Sequence, residues 1–242
     1  MKPIVLVSWP RHVDIPLFRY NLKRFQSYFQ EIYIGFTYHH EPEDYSNFIR
    51  KDLYFANFLD IERTDEDWRS ECVNQLLDII PPSDHILFLE QDFLIKDESF
   101  FDKLFEKDHD FLYYQENGRI HPAFAVVRRN LINETHRDFS PNPPLDHFGR
   151  FFEEISTQVK GETLEDYGMK WREDYYHMQG LTQNYKSFKY GDPFFRPATF
   201  FYFNWKSSLL PDQSPFSSVM EQVNLFKRPK EHEFLDKFFP KI

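Results

Sequence analysis

Two carboxylates follow an apolar run in the stretch HILFLEQDFLI, at residues 85–95. Glu90 and Asp92 flank Gln91 directly after the run ends. Carboxylates in such a position can hold Mg²⁺ or Mn²⁺, which often bind one or two of them together with phosphate oxygens. On an extended backbone alternate side chains point the same way, so both carboxylates would face one site. The spacing therefore predicts a divalent metal that in turn holds phosphate.

Few glycines are available to bind phosphate through the backbone. The chain has 7 glycines in 242 residues, and none lies in a GxGxxG or GxxxxGK[ST] pattern. Those patterns mark dinucleotide-binding and P-loop folds, which the sequence therefore disfavours. A metal ion is another common means of holding a diphosphate.

Composition excludes several other classes of protein. The net charge of −10 argues against nucleic acid as a partner, because phosphate backbones would be repelled. A single cysteine, Cys72, rules out an intramolecular disulfide and zinc-finger spacing, and its apolar neighbours predict a buried thiol. No apolar run has membrane-spanning length and the first residues predict a strand, so we expect a cytoplasmic protein, free or peripheral to a membrane.

The predicted elements alternate in the order of a parallel α/β sheet. An open sheet of this kind binds ligands beyond the carboxyl ends of its strands, so residues 8–11, 36–39 and 90–92 are expected to share one edge. Strands are predicted at 4–7, 32–36, 60–61, 86–89, 111–114 and 123–127, helices from Pro16 and at 47–59, 64–80, 98–106, 148–159 and 164–175, and a turn at 116–118.

An apolar strand that ends in acid-x-Asp, with Phe and a helix after it, resembles the DxD motif of family 2-like glycosyltransferases with the GT-A fold. The order of elements agrees with that family. HPAFAVVRRNLI (121–132) resembles the family's next strand, and LEDYGMKWR (164–172) resembles the ED-bearing segment of inverting members. The resemblance covers about residues 3–190.

The resemblance implies an α/β fold with a mostly parallel central sheet flanked by helices. Within a single domain over residues 1–242, it implies a Rossmann-like, nucleotide-sugar-binding half at 1–115 and an irregular acceptor half at 116–242. The implied reaction moves a sugar from a UDP-, GDP- or dTDP-sugar to a hydroxyl of a glycan or a lipid-linked acceptor.

The resemblance also assigns the metal ligands. Asp92 occupies the position of the metal-binding acid, with Mn²⁺ or Mg²⁺ as cofactor. Glu90 stands where the family usually has aspartate, so we expect one of three outcomes: it reaches the metal through water, it contacts the ribose, or the dependence on metal is weakened. His177, in YYHMQG, is expected to complete the metal site, because such families often supply a late histidine.

Two further groups of site residues are expected. Asp166, with Glu165 next, is the candidate general base that would activate the acceptor hydroxyl. Residues expected to contact the nucleotide sugar follow the first and third strong strands or lie on the helix between them: Ser8, Trp9, Arg11, Arg69, Glu90, Gln91 and Asp92.

Three other functions stay open at this stage. A sugar-phosphate nucleotidyltransferase would have a glycine-rich loop after the first strand, but SWPRHVD (8–14) has no glycine. A glycoside hydrolase also uses paired carboxylates, without a nucleotide. A non-catalytic protein with the same fold would bind nucleotide or glycan without turnover, since a fold does not establish an activity.

Overall fold

A computed structural model describes residues 4–8, 16–38, 50–62, 68–134, 136–140 and 148–177. The strands are β1 (Ile4–Ser8), β2 (Ile32–Tyr38), β3 (Asn57–Glu62), β4 (His85–Leu89), β5 (Phe93–Ile95), β6 (Phe111–Glu116), β7 (Arg119–Arg128), β8 (Glu162–Thr163) and β9 (Tyr175–His177). The helices are α1 (Pro16–Phe25), a 3₁₀ turn (Gln26–Tyr28), α2 (Trp68–Ile79), α3 (Ser99–Glu106), α4 (Arg129–Glu134) and α5 (Gly149–Gln158).

Among the described residues, seven strands form the main sheet, in the order β3-β2-β1-β4-β7-β6-β8. The first four are parallel to one another, β7 is antiparallel to both of its neighbours, and β6 pairs in parallel with β8. The mostly parallel α/β sheet predicted from the sequence is therefore confirmed. A separate two-stranded antiparallel sheet joins β5 to β9.

Helices cover both faces of the main sheet. Along β4, Leu87 and Leu89 pack in one core with α1 and α3, while Ile86 and Phe88 pack in a second core with α2 and α5. Burial on both faces explains why these strands are continuous apolar runs. Within the described part of the chain, no helix has the length and apolar character needed to cross a bilayer.

Two predicted helices are wrong in part. The helix predicted over 47–59 gives way to turns at 53–55 and then to β3, which pairs with β2. The helix predicted over 164–175 is replaced by turns and β9. Gly168 has a φ of +86°, which interrupts helical geometry, and strand pairing then overrides local propensity.

Glycine is required where β2 packs on α2. A Cβ added at Gly35 would overlap Cys72 Sγ and would lie 3.1 Å from Leu76 Cδ1. Cys72 is fully buried, as predicted, and burial raises the pKa of its thiol to about 12. The contact sets how closely the helix approaches the sheet.

We expect Gly35→Ala to lower the free energy of unfolding by roughly 1–3 kcal/mol, the usual cost of overpacking. Removing the sulfur in Gly35→Ala/Cys72→Ala should recover part of that loss, because the new methyl group then occupies the space of the old thiol. Urea unfolding of the four members of the cycle measures this coupling. Additive effects of the two substitutions would contradict the packing described here.

Candidate functional site

The EQD triplet forms a tight turn at the carboxyl end of β4. The Glu90 N–H donates to the Ala123 carbonyl at 3.0 Å, and the Phe93 N–H donates back to the Glu90 carbonyl at 3.2 Å. The prediction that Glu90 and Asp92 alternate on an extended backbone is therefore wrong: the chain must leave the main sheet here to begin β5. Gln91 turns inward and is only 1% exposed, which leaves its side chain little surface for a ligand.

Pairing between β5 and β9 brings a distant histidine to this turn. Phe93, the residue after Asp92, lies opposite His177, and Ile95 lies opposite Tyr175. The rings of Phe93 and Tyr175 stack with their centroids 5.2 Å apart. As a result His177 Nε2 lies 3.7 Å from Asp92 Oδ1.

The β6–β7 hairpin supplies two more side chains. Its turn is Asn117-Gly118, both with positive φ (50° and 76°), as in a type I′ turn. His121 lies opposite Tyr114, and Glu116 follows Tyr114 by two residues, so all three share one face. The predicted turn at 116–118 is confirmed, but Glu116 and His121 were not expected at the site. An Asn-Gly turn flanked by alternating polar residues is the sequence signal that could have identified them.

Five side chains form what we call the acid–histidine cluster: Glu90, Asp92, Glu116, His121 and His177. His177 Nδ1 lies 3.7 Å from Glu116 Oε1, on the side of the ring opposite Asp92. His121 Nε2 lies 3.4 Å from Glu116 Oε2, and the two imidazole rings are 4.5 Å apart. One potential ligand atom from each of Glu90, His121 and His177 lies within 4.8 Å of the others.

The charges of the cluster act on each other. Burial lowers the pKa of His177, but Glu116, Asp92 and Glu90 together outweigh burial, so the pKa is raised above its ordinary value. Burial likewise raises the pKa of Glu116, but His177 and His121 outweigh it, and the pKa is lowered. When His177 is protonated, its buried charge lies among three carboxylates that stabilise it.

The cluster fits a divalent metal ion. Two ligand atoms that each lie about 2.1 Å from the same ion are roughly 3–4.2 Å from each other. The 3.7 Å between His177 Nε2 and Asp92 Oδ1 falls in that range. A set of carboxylate oxygens and imidazole nitrogen suits Mn²⁺ better than Mg²⁺, which prefers oxygen alone. Ligand atoms of Glu90, His121 and His177 lie within 4.8 Å of one another, and Asp92 lies beside His177, so these four residues could hold such an ion.

The other expected nucleotide contacts are only partly described. Ser8 ends β1, and the register of β1 with β4 puts its backbone at the level of Glu90, on the same edge of the sheet. Arg69 lies on α2, where the backbone is described but the side chain is not. Trp9 and Arg11 lie outside the described residues.

Asp166 is engaged in a local turn. Its N–H donates to Thr163 Oγ1 at 3.0 Å, and its Oδ2 accepts from the Thr163 N–H at 3.4 Å. These reciprocal bonds resemble a capping box, which stabilises the start of a turn. Burial is the largest cause that raises the pKa of Tyr113, and the charge of Asp166 raises it further. Tyr113 packs against the core on the α2 side of the sheet.

Glu165 contacts the opposite side of the sheet. Its carboxylate accepts a hydrogen bond from the Tyr175 hydroxyl. Burial raises the pKa of Tyr114 most, and the charges of Glu116 and then Glu165 raise it further. The ring of Tyr114 lies 5.3 Å from that of His177. Of the two acids at 165–166, Glu165 is therefore the one whose contacts lead toward the acid–histidine cluster.

No protein-family model and no curated protein sequence matches the chain. Among solved structures, the mannosyltransferase PcManGT from Pyrobaculum calidifontis, in complex with GDP-Man and Mn²⁺, matches with a TM-score of 0.53 and 10% identity over 98% of this chain and 74% of that one. S. aureus TarS 1-349 matches with a TM-score of 0.50 and 14% identity, over 98% and 71%. The chain has a GT-A-like fold. At 10% and 14% identity, the fold is the property that this chain shares with these two structures.

The cluster predicts a pH-dependent contribution to stability. In the metal-free chain, the raised pKa of His177 adds stability below about pH 6.5 that is lost as pH rises through the raised value. The lowered pKa of Glu116 adds stability above about pH 4.3 that is lost as pH falls. Both contributions are present between these limits.

We expect His177→Asn to lower the free energy of unfolding by roughly 1–3 kcal/mol at about pH 5.5, because partly buried carboxylates lose their cation. The loss should shrink as pH rises through the raised pKa of His177, because the imidazole then becomes neutral in the folded state as well. Urea unfolding in EDTA, at one pH below that pKa and one above it, measures both values, with exposed His136→Asn as the matched control. An equal loss at the two pH values would contradict the charge assignment.

Proposed function

We propose that the chain transfers a sugar from a nucleotide-diphosphate sugar to an acceptor hydroxyl, assisted by a divalent cation at the acid–histidine cluster. The observation that carries the proposal is the β5–β9 pairing, which brings buried His177 to 3.7 Å from Asp92 at the carboxyl end of β4. A late histidine beside the strand-end acid is what the resemblance to GT-A glycosyltransferases implies. The shared fold supports the same class of reaction.

The donor is proposed to lie across the carboxyl edge of the parallel strands. Ser8 ends β1 and Glu90 directly follows β4 at this edge, where open α/β sheets bind ligands. Trp9, Arg11 and Arg69 are proposed to contact the nucleotide. In this view residues 1–115 of one domain bind the donor, and residues 116–242 contribute the acceptor side.

The proposed cation is Mn²⁺ or Mg²⁺, held by Glu90, Asp92 and His177. A bound cation would neutralise the diphosphate and stabilise the charge that develops as it leaves. The chain needs such help, since its net charge of −10 and the three carboxylates of the cluster repel an anionic donor. PcManGT, which holds GDP-Man and Mn²⁺, supports this pairing of ligands, and imidazole in the donor set favours Mn²⁺.

The proposed reaction is an in-line displacement with inversion. The acceptor oxygen forms a bond to the anomeric carbon while the bond from that carbon to the diphosphate breaks, and a carboxylate takes the hydroxyl proton. Asp166 and Glu165 are the candidate bases. The contacts favour Glu165, whose hydrogen-bond partner Tyr175 stacks on Phe93 beside the EQD turn. The proposed acceptor is a glycan or a lipid-linked sugar, used in the cytoplasm or at a membrane surface.

Nucleotide binding tests the donor site before any acceptor is known. We expect one of UDP, GDP, CDP and dTDP to stabilise the chain only when Mn²⁺ is present, by roughly 2.7 kcal/mol at about 100-fold above its dissociation constant. Asp92→Asn should abolish this shift in a thermal-unfolding assay. Asp102→Asn, the same chemical change at an exposed position on α3, should keep it.

Other outcomes of the same assay favour other functions. Stabilisation by a glycan and by no nucleotide would contradict the proposal and favour a hydrolase or a glycan-binding protein. Mn²⁺-dependent nucleotide binding without turnover of any nucleotide sugar would favour the non-catalytic alternative. Stabilisation by a nucleotide that needs neither Mn²⁺ nor Asp92 would refute the metal role.

The base can be tested with the donor that this assay identifies. Glu165→Gln should lower kcat for release of nucleoside diphosphate by about 10²- to 10⁴-fold and leave the nucleotide dissociation constant unchanged, because a base acts on the acceptor proton. Asp166→Asn should cost roughly 1 kcal/mol of stability through the turn and change kcat less than about tenfold. A large loss of kcat in Asp166→Asn with a small one in Glu165→Gln would assign the base to Asp166. Normal kcat in both variants would exclude a base at 165–166.

A further inference from the structure

Glu116 lies next to one tyrosine and both histidines at the acid–histidine cluster. Its Oε1 accepts from the Tyr114 hydroxyl at 3.4 Å and lies 3.7 Å from His177 Nδ1, and its Oε2 lies 3.4 Å from His121 Nε2. The side chain is only 15% exposed. A carboxylate with three polar neighbours and little access to solvent is well placed to orient those neighbours.

The backbone determines which nitrogen of His121 carries the proton. The Ala123 N–H donates to His121 Nδ1 at 3.1 Å, so that nitrogen acts as an acceptor and has no proton. A neutral His121 then carries its proton on Nε2, the atom that faces Glu116. With Nδ1 accepting and Nε2 protonated, His121 has no lone pair to give to a metal ion.

The same carboxylate determines the state of His177. Glu116 Oε1 lies 3.7 Å from Nδ1, and Asp92 Oδ1 lies at the same distance from Nε2. Of the two acids, Glu116 does more to raise the pKa of His177, so it favours the proton on Nδ1. The lone pair of Nε2 then faces Asp92. Metal-binding histidines are commonly oriented in this way, by a carboxylate on the nitrogen that does not bind the ion.

We propose that Glu116 and His121 are positioning residues that fix the ring of His177 with Nε2 directed at the cation, and that His121 is not itself a metal ligand. The chain of contacts runs from the Ala123 N–H through His121 and Glu116 to His177. The orientation of His177 is a property of the metal-free chain, whereas its use toward a cation rests on the proposed function.

Long-range ¹H–¹⁵N NMR of the full chain tests the orientation without any metal. In EDTA, at a pH where both imidazoles are neutral, we expect His121 with its proton on Nε2 and His177 with its proton on Nδ1. Glu116→Ala should move the proton of His177 away from Nδ1. Glu116→Gln keeps an oxygen acceptor and should largely restore it, while Gln115→Ala, an exposed neighbour on the same strand, should change nothing.

Mn²⁺ titration then tests the consequence for the cation. Loss of the orienting carboxylate should weaken Mn²⁺ binding by about 10- to 100-fold in Glu116→Ala, with a smaller loss in Glu116→Gln and none in Gln115→Ala. Circular dichroism establishes that each variant is folded. If Glu116→Ala does not fold, the wild-type proton positions and Glu116→Gln carry the test.

Two results would overturn the inference. One is a proton on Nε2 of His177, or on Nδ1 of His121, in the wild-type spectrum. The other is unchanged Mn²⁺ affinity in Glu116→Ala while wild type binds the ion. A wild-type chain that binds no Mn²⁺ would instead overturn the proposed metal role together with the use of Glu116 toward a cation, and the spectrum would still decide the orientation of His177.

Discussion

The short β5–β9 ladder is the constraint on which the candidate site depends. It begins at Phe93, directly after Asp92, and its partner strand ends at His177, so two stretches that are far apart in sequence meet at the end of β4. Stacking of Phe93 on Tyr175 stabilises the ladder within the core. Without this pairing the strand-end acids would be surface charges, and the cluster would lack its buried imidazole.

Much of the fold could be predicted from the sequence, because strands buried on both faces are long apolar runs. β2 and β4 are of this kind, and the sequence of β1 is likewise a continuous apolar run. The small strands β5, β8 and β9 could not be predicted, since two or three residues carry no periodicity and their pairing comes from distant segments. β9 lies in a region whose polar–apolar spacing matches a helix. The positive φ of Gly168 and of Arg172, together with the pairing with β5, excludes that helix.

The site was harder to predict than the sheet. Order along the chain was enough to predict Asp92 and His177 as site residues, but it gave no reason to add Glu116 and His121. Their closeness depends on the Asn-Gly hairpin, whose pairing shifts register between Tyr113 and Tyr114. The acids at 165–166 show the same limit. Sequence treats them as neighbours, whereas the fold directs Glu165 toward Tyr175 and engages Asp166 with Thr163.

Pulsed electron paramagnetic resonance of Mn²⁺ bound with a nucleoside diphosphate tests the central claim most directly, because it detects the nuclei next to the ion. For a cation held by the acid–histidine cluster, we expect coupling to ³¹P from the diphosphate and to ¹⁴N from one imidazole. The ¹⁴N coupling should be lost in His177→Asn. Mn²⁺ surrounded by water and carboxylate alone, with neither coupling, would contradict a cation held by the acid–histidine cluster.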